Sequence, residues 1–196
     1  MTVPIVAAAP PAEAKPAPER RPLRELLPIG GLRVVVALGM VAAAVGSLIR
    51  FGSTSHGLVG VVLVPTLVLL AAIDAKHRLL PNVIVGPAIL AVGVIVAATD
   101  PQTFLGHLAI AAAAGGFFFA FTAFFPRAFG MGDAKLVFLL GLALGPKVLP
   151  ALIIAIFAQL PVALYLIARH GSAARKSTIP FGPYLALGGV VAYFLG

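Results

Sequence analysis

The stretch GLVGVVLVPTLVLLAAIDAKHRLLPN, residues 57–82, decides the fold. Its first seventeen residues, 57–73, carry no charge; Asp74, Lys76 and Arg78 follow, and then Leu80-Pro81-Asn82. Crossing roughly 30 Å of hydrocarbon takes about 20 helical residues, so this run reads as a membrane span, 57–74, that stops at a polar boundary. Pro65 inside it is tolerated in a membrane helix, as is Pro161 in a later run. Working outward, six further apolar runs predict spans at 32–49, 83–98, 104–125, 134–145, 148–168 and 180–196. The run 134–145 is short, and is expected to tilt little, to sit partly in the headgroups or to merge with its neighbours. The string AIAAAAGG, 109–116, suits close helix–helix approach. No internal repeat is visible. The expected fold is all-α, a polytopic helical membrane protein of about seven transmembrane helices.

Composition agrees. The 196 residues are 61% hydrophobic and 10% charged, with a mean hydropathy of +1.10; soluble domains run near half apolar and a quarter charged. An ordinary soluble enzyme is excluded, and so is a chain disordered throughout. With no cysteine, disulfides, thiolate zinc sites, iron–sulfur clusters and a Cys nucleophile are excluded. Residues 1–30 differ from the rest. They hold 7 of the 17 prolines, which favours a flexible, polyproline-like arm, and they contain no apolar core of a signal peptide.

The net charge is +8. With the arm inside, the inner segments hold twelve of the 14 Lys and Arg residues, and the outer turns only Arg50 and Lys147. That bias predicts a cytoplasmic N-terminus. Basic stretches are not interleaved with aromatics, so nucleic acid is not an expected partner; the lipid bilayer is. The histidines lack ligand spacing, so no metal and no cofactor are expected.

Three of the six acidic residues lie in the arm; the others are Asp74, Asp100 and Asp133. Asp100 sits in the turn TDPQ, where an Asp before Pro is ordinary turn chemistry. Asp74 closes one span and Asp133 opens another, and the charge count puts both at the cytoplasmic boundary. Each has a plain structural reading: Asp133 as a helix N-cap after Gly132, Asp74 as a headgroup-level partner of Lys76 or Arg78. Together they are more informative, because acids at membrane depth are costly and mark functional sites. Two facing carboxylates do not both ionise cheaply, so one holds a proton. The charged one can take a proton from a water attacking a peptide carbonyl; the neutral one can donate to the carbonyl oxygen and then to the leaving nitrogen. The roles are interchangeable, since a coupled pair titrates as a unit. Gly130 and Gly132 place no Cβ beside Asp133, which lets a backbone approach the carboxylate.

Asp74 followed by Leu80-Pro81-Asn82, then Gly130-Met131-Gly132-Asp133-Ala134-Lys135-Leu136, then Pro180-Phe181-Gly182-Pro183, resembles the type IV prepilin peptidase family, intramembrane aspartic proteases of the GxGD class. The resemblance covers roughly residues 57–196. It implies a six-helix catalytic domain over 57–196, preceded by the arm, 1–30, and by an extra helix with a short turn, 31–56. It implies that Asp74 and Asp133 are the catalytic pair, and that prepilin or pseudopilin precursors lose a short basic leader at the cytoplasmic face. Pro81, Asn82, Gly130, Gly132, Lys135, Pro180, Phe181, Gly182 and Pro183 are then substrate-binding or site-shaping. The two prolines of the last motif are expected to prevent a regular helix start, freeing backbone groups for a peptide strand or for packing by the acids. Lys135 reads first as a headgroup anchor. Many members carry a cytoplasmic insert with cysteine pairs associated with methylation of the new N-terminus. Here the first two spans are joined by RFGSTSHG alone, so a peptidase without methyltransferase activity is expected.

Two readings of other classes stand beside this one: an ion or proton transporter with a paired acid, and a noncatalytic subunit of a pilus or secretion assembly. A serine protease on Ser47 and His107 fails, because no acid besides Asp100 is at hand to orient the histidine and the serine lacks a glycine turn. Ser47 is expected to bond within its own helix, and His107 to make a packed polar contact. His56, His77 and His170 read as loop residues.

Overall fold

The computed structural model describes residues 23–28, 30–124, 130–170 and 180–195. Most of the expected arm, and Arg127, Arg175 and Lys176 of the charge count, lie outside them. The chain forms α1 (Leu23–Leu26), α2 (Gly31–Phe51), α3 (Ser55–His77), α4 (Asn82–Thr99), α5 (Pro101–Phe124), α6 (Met131–Leu144), a 3-10 turn (Gly145–Lys147), α7 (Val148–His170) and α8 (Gly182–Leu195). Among the described residues there is no strand. The protein is a polytopic helical membrane protein, and among the described residues its helices of 14 residues or more follow the seven apolar runs of the sequence.

The end of the expected arm is ordered. Leu23–Leu26 form a helical turn, Leu26 is 4% exposed, and the Arg33 side chain donates to the Pro28 carbonyl at 2.5 Å. Leu26 and Pro28 are both buried, which gives this segment a packed contact.

Six helices, α3 to α8, share one core, and α2 packs chiefly along α3. Among the described residues five stretches are long and apolar enough to cross a membrane, with Met131–Arg169 as one of them. Within it Gly145, φ 56°, ends α6 and opens the 3-10 turn that leads into α7, so the short α6 is a helix of its own, with Asp133 at one end of the bundle and Leu142 beside His107 at the other. From Leu136 to Leu144 all but the half-buried Phe138 are buried. A helix apolar on every side belongs inside a bundle, and α6 is that inner helix, surrounded by α4, α5, α7 and α8. Its closest approach is to α5, where a Cβ on Gly141 would lie 2.6 Å from the Ala111 Cα, in the middle of the alanine-rich string.

α3 and α6 are not a closely packed pair. On one side α4 bridges them and on the other α8 does. A gap between α3 and α6 is thus lined by the starts of α4 and α8 at one end of the bundle. That arrangement positions the site.

Candidate active site

Asp74 lies one turn before the end of α3 and is 5% exposed; Asp133 lies in the first turn of α6 and is 8% exposed. The chain reverses between them often enough to bring both to the same end of the bundle, where the start of α6 meets the α3–α4 turn: Lys135 bonds to Asn82 and a Cβ on Gly132 would meet Leu80.

Each carboxylate is held by a glycine N–H. Gly182, the first residue of α8, donates to Asp74 Oδ2 at 3.0 Å. A helix N-terminus offers free N–H groups and a positive dipole end, so a buried carboxylate is a favourable partner there. A Cβ at position 182 would sit 2.5 Å from that same oxygen, so only glycine fits. Of the two expected uses of Pro180-Phe181-Gly182-Pro183, packing by the acids is the one seen. The motif does not, however, prevent a regular helix start. The Phe181 carbonyl accepts from Tyr184 and Leu185 in ordinary fashion, and Pro183 is harmless in a first turn whose N–H groups have no helical partner. Phe181 is buried and Pro180 half-buried.

Asp133 is not the cap of its helix. Gly130 is, and Asp133 stands at the third helical position, where its Oδ2 accepts from the Gly130 N–H at 3.1 Å while its own N–H donates to the Gly130 carbonyl at 3.0 Å. The two glycines before it differ in role. A Cβ on Gly132 would lie 2.7 Å from the Leu80 Cβ, so this glycine lets α6 start against the α3–α4 turn; a Cβ on Gly130 would make ordinary contact only.

Pro81 is buried and caps α4, its carbonyl accepting from Ile84 and Val85. Asn82 and Lys135 are both exposed, and the Lys135 Nζ donates to Asn82 Oδ1 at 2.7 Å. This bond ties the start of α6 to the start of α4. The Asp74 carboxylate bonds to Gly182 and not to the exposed Lys76 or Arg78. Arg78 ends α3 in the left-handed conformation, φ 53°, with its N–H on the Asp74 carbonyl. For a non-glycine residue that conformation costs roughly 1–2 kcal/mol, and such residues cluster at functional sites.

The other sequence candidates lie elsewhere. Ser47 donates to the Ala43 carbonyl within its own helix, at 2.8 Å, and His107 Nδ1 lies 2.9 Å from the Leu142 carbonyl, as expected for each. His56, His77 and His170 are helix-terminal residues of α3 and α7, not loop residues. The His77 Nε2 is buried with no hydrogen-bond partner among the described residues. Unforeseen altogether is a polar knot at the far end of α3. There the Tyr193 hydroxyl donates to the His56 carbonyl, the His56 Nε2 lies 3.1 Å from the Tyr193 carbonyl, and the two rings stack at 4.4 Å. A tyrosine near the end of an apolar helix carried no signal of it; the partner is 137 residues away.

A profile described as the Type IV leader peptidase family matches residues 61–167, more than half of the chain. The chain belongs to that family. Among curated relatives, a prepilin leader peptidase/N-methyltransferase of Xanthomonas campestris pv. campestris is 32% identical over 161 residues, covering 78% of this chain and 55% of the relative. Proteins of the same description from Bacillus subtilis (32% over 154 residues, 76% and 60%) and Burkholderia pseudomallei strain 1026b (31% over 175 residues, 86% and 56%) are similar. The chain thus spans little more than half the length of these relatives. No solved structure matches it. The matched residues of the leader peptidase family include Asp74 and Asp133 but stop short of Gly182, which the fold brings to Asp74 from beyond them.

Proposed function

We propose that this protein is a membrane-embedded aspartic endopeptidase that removes the short basic leader from prepilin or pseudopilin precursors, with Asp74 and Asp133 as its catalytic pair. One observation carries the reading: two buried carboxylates, on helices that do not pack together, reach the same end of the bundle, each fixed through Oδ2 by a glycine N–H. Each Oδ1 is then left for water and substrate. A carboxylate has about four acceptor positions, so a single backbone bond orients the group without using it up.

In this mechanism one carboxyl of the pair holds a proton and its neighbour is charged, as like charges close together favour. The charged one takes a proton from the attacking water as oxygen adds to the scissile carbonyl. The protonated one donates to the carbonyl oxygen; on collapse, a carboxyl proton passes to the leaving nitrogen. Lys135, Asn82, Gly132 and Leu80 hold the starts of α6 and α4 together beside the pair and act as positioning residues. The catalytic domain in this reading is 57–196, with α2 an accessory helix and the N-terminus cytoplasmic, in keeping with the twelve-to-two distribution of basic residues.

The activity is proposed to stop at hydrolysis. The chain has no cysteine, and α2 passes to α3 through three residues, 52–54, which leaves no room there for a cysteine-paired insert. Transfer of a methyl group from S-adenosylmethionine to cleaved pilin by the purified protein would refute this part.

The decisive experiment is co-expression with a prepilin precursor, scoring loss of the leader. Wild type is expected to cleave; Asp74→Asn and Asp133→Asn are expected to insert normally and leave the precursor intact. Substantial cleavage by either variant overturns the assignment.

A further inference from the structure

A cleft of about 300 Å³ opens at the end of the bundle opposite the aspartates. Its wall includes Ser55 and His56 from the start of α3, Asp100 from the single-residue joint between α4 and α5, and Thr103 and His107 from the first turns of α5. Its volume is at the lower end of the range for small-molecule sites, and nothing in the proposed hydrolysis uses it.

The hydrogen bonds around it decide what it can hold. His107 Nδ1 lies 2.9 Å from the Leu142 carbonyl and His56 Nε2 lies 3.1 Å from the Tyr193 carbonyl. A carbonyl only accepts, so those two nitrogens carry hydrogen; His107 Nε2 packs against Gly145, while a His56 ring with hydrogen on Nε2 alone offers Nδ1 as an acceptor. The Thr103 hydroxyl spends its hydrogen on the Asp100 carbonyl at 3.3 Å. Acceptors therefore outnumber donors, around one carboxylate. Such a wall takes a hydrogen-bonding cation. A bare metal ion fits poorly, because among the described residues no three ligand side chains converge. An organic ammonium spans the wider spacing.

Beyond the wall stand two opposite charges: Arg50 at the end of α2, held over the Phe51 ring, and Lys147, exposed in the 3-10 turn whose Gly145 packs against the His107 ring. An ammonium at Asp100 joined to an anion near Lys147 is a compact zwitterion. The cleft lies where α3, α4, α5 and α6 end, hence at the level of lipid headgroups and not of hydrocarbon. We propose that this cleft binds the phosphoethanolamine headgroup of an aminophospholipid, with its ammonium on Asp100 and its phosphate toward Lys147.

The test is lipid binding to the purified full chain by native mass spectrometry, titrating dioleoyl phosphatidylethanolamine against dioleoyl phosphatidylcholine, whose methylated nitrogen has no N–H. Wild type is expected to bind the ethanolamine lipid about tenfold more tightly, the size of one charge-assisted hydrogen bond. Asp100→Asn is expected to abolish that preference. Lys147→Gln, at an exposed position, is expected to weaken both lipids while keeping it. Equal binding of the two lipids by wild type, or an undiminished preference in Asp100→Asn, overturns the ammonium site, and unchanged affinities in Lys147→Gln overturn the phosphate assignment. Soluble phosphoethanolamine binding as tightly as the lipid would show a free metabolite site and overturn the membrane source.

Discussion

α3 and α8 run antiparallel, and the same two helices meet in polar contacts at both ends. At one end the Gly182 N–H meets the Asp74 carboxylate; at the other the Tyr193 hydroxyl and the His56 imidazole each bond to the other residue's carbonyl. In the knot at Tyr193 both donors, the tyrosine hydroxyl and the His56 Nε2–H, are spent. Ring stacks on ring, Phe51 packs edge-on against both, and a Cβ on Gly60 would overlap the tyrosine hydroxyl. At the Asp74 end one backbone bond orients a carboxylate that can still accept several more. Saturated polar groups rigidify a membrane bundle; under-used ones remain available for chemistry. The two ends should therefore respond oppositely to substitution.

The largest expected difference is in cleavage. Asp74→Asn or Asp133→Asn removes a group that can carry a proton in the reaction, and acid–base groups of this kind are worth about 10²–10⁴-fold. Leader processing in a reconstituted assay should fall by at least about 10³-fold, with the thermal unfolding midpoint in detergent unchanged. Tyr193→Phe should do the reverse. If Tyr193→Phe cost as much cleavage as Asp74→Asn, the division of labour between the ends would be lost.

Next in size is a pair of glycine substitutions, one at each end. Gly182→Ala places a methyl 2.5 Å from Asp74 Oδ2 and 2.8 Å from its Cγ, so the carboxylate or the start of α8 must shift. A displacement near 1 Å at reacting groups costs about 100-fold in rate, and that loss of cleavage is expected without a matching loss of fold. Gly60→Ala instead overpacks the Tyr193 knot and should destabilise by about 1–3 kcal/mol, leaving the folded fraction active. A thermal melt and a processing assay on both variants check the pair together.

These contrasts also show how much the sequence disclosed. The helices were legible because each apolar run is bounded by a residue that stops it: Arg78 and Pro81 around the α3–α4 turn, Asp100 and Pro101 between α4 and α5, Gly130 before α6. Asp74 and Asp133 stood out because acids are so few in this chain. The seating of those acids was legible only in part. Gly182 was visible within a motif, but its N–H on Asp74 depends on α8 packing beside α3, an order of helices that hydropathy does not encode. The inner position of α6 and the Lys135–Asn82 bond were hidden for the same reason. A short run reads alike in the headgroups or at the centre of a bundle, and an exposed lysine gives no sign of a partner 53 residues earlier.

Removing the Tyr193 hydroxyl as Phe deletes its hydrogen bond to the His56 carbonyl at 3.1 Å and its contact with the Ser47 hydroxyl, and keeps the ring stacking. Such a bond contributes about 1 kcal/mol net. The expected result is a lower unfolding midpoint with cleavage per folded molecule unchanged, and a drop in specific activity would show that the far knot reaches the aspartates through α8.

The smallest effect belongs to the link that joins the site's two helix starts. Lys135 donates to Asn82 from exposed side chains, so solvent competes for both groups and the bond adds little to stability. Its value in this reading is positional, because it fixes the first turn of α6, which carries Asp133, against the first turn of α4. A double-mutant cycle with Lys135→Met and Asn82→Ala should give a coupling of about 0.5 kcal/mol in unfolding. The same cycle measured on kcat should give a larger coupling than the one in stability, with KM nearly constant. Coupling that is equal in the two readouts would reduce the bond to one more surface contact, and would leave the positioning of the carboxylates to Gly182, Gly130 and the Gly132–Leu80 contact.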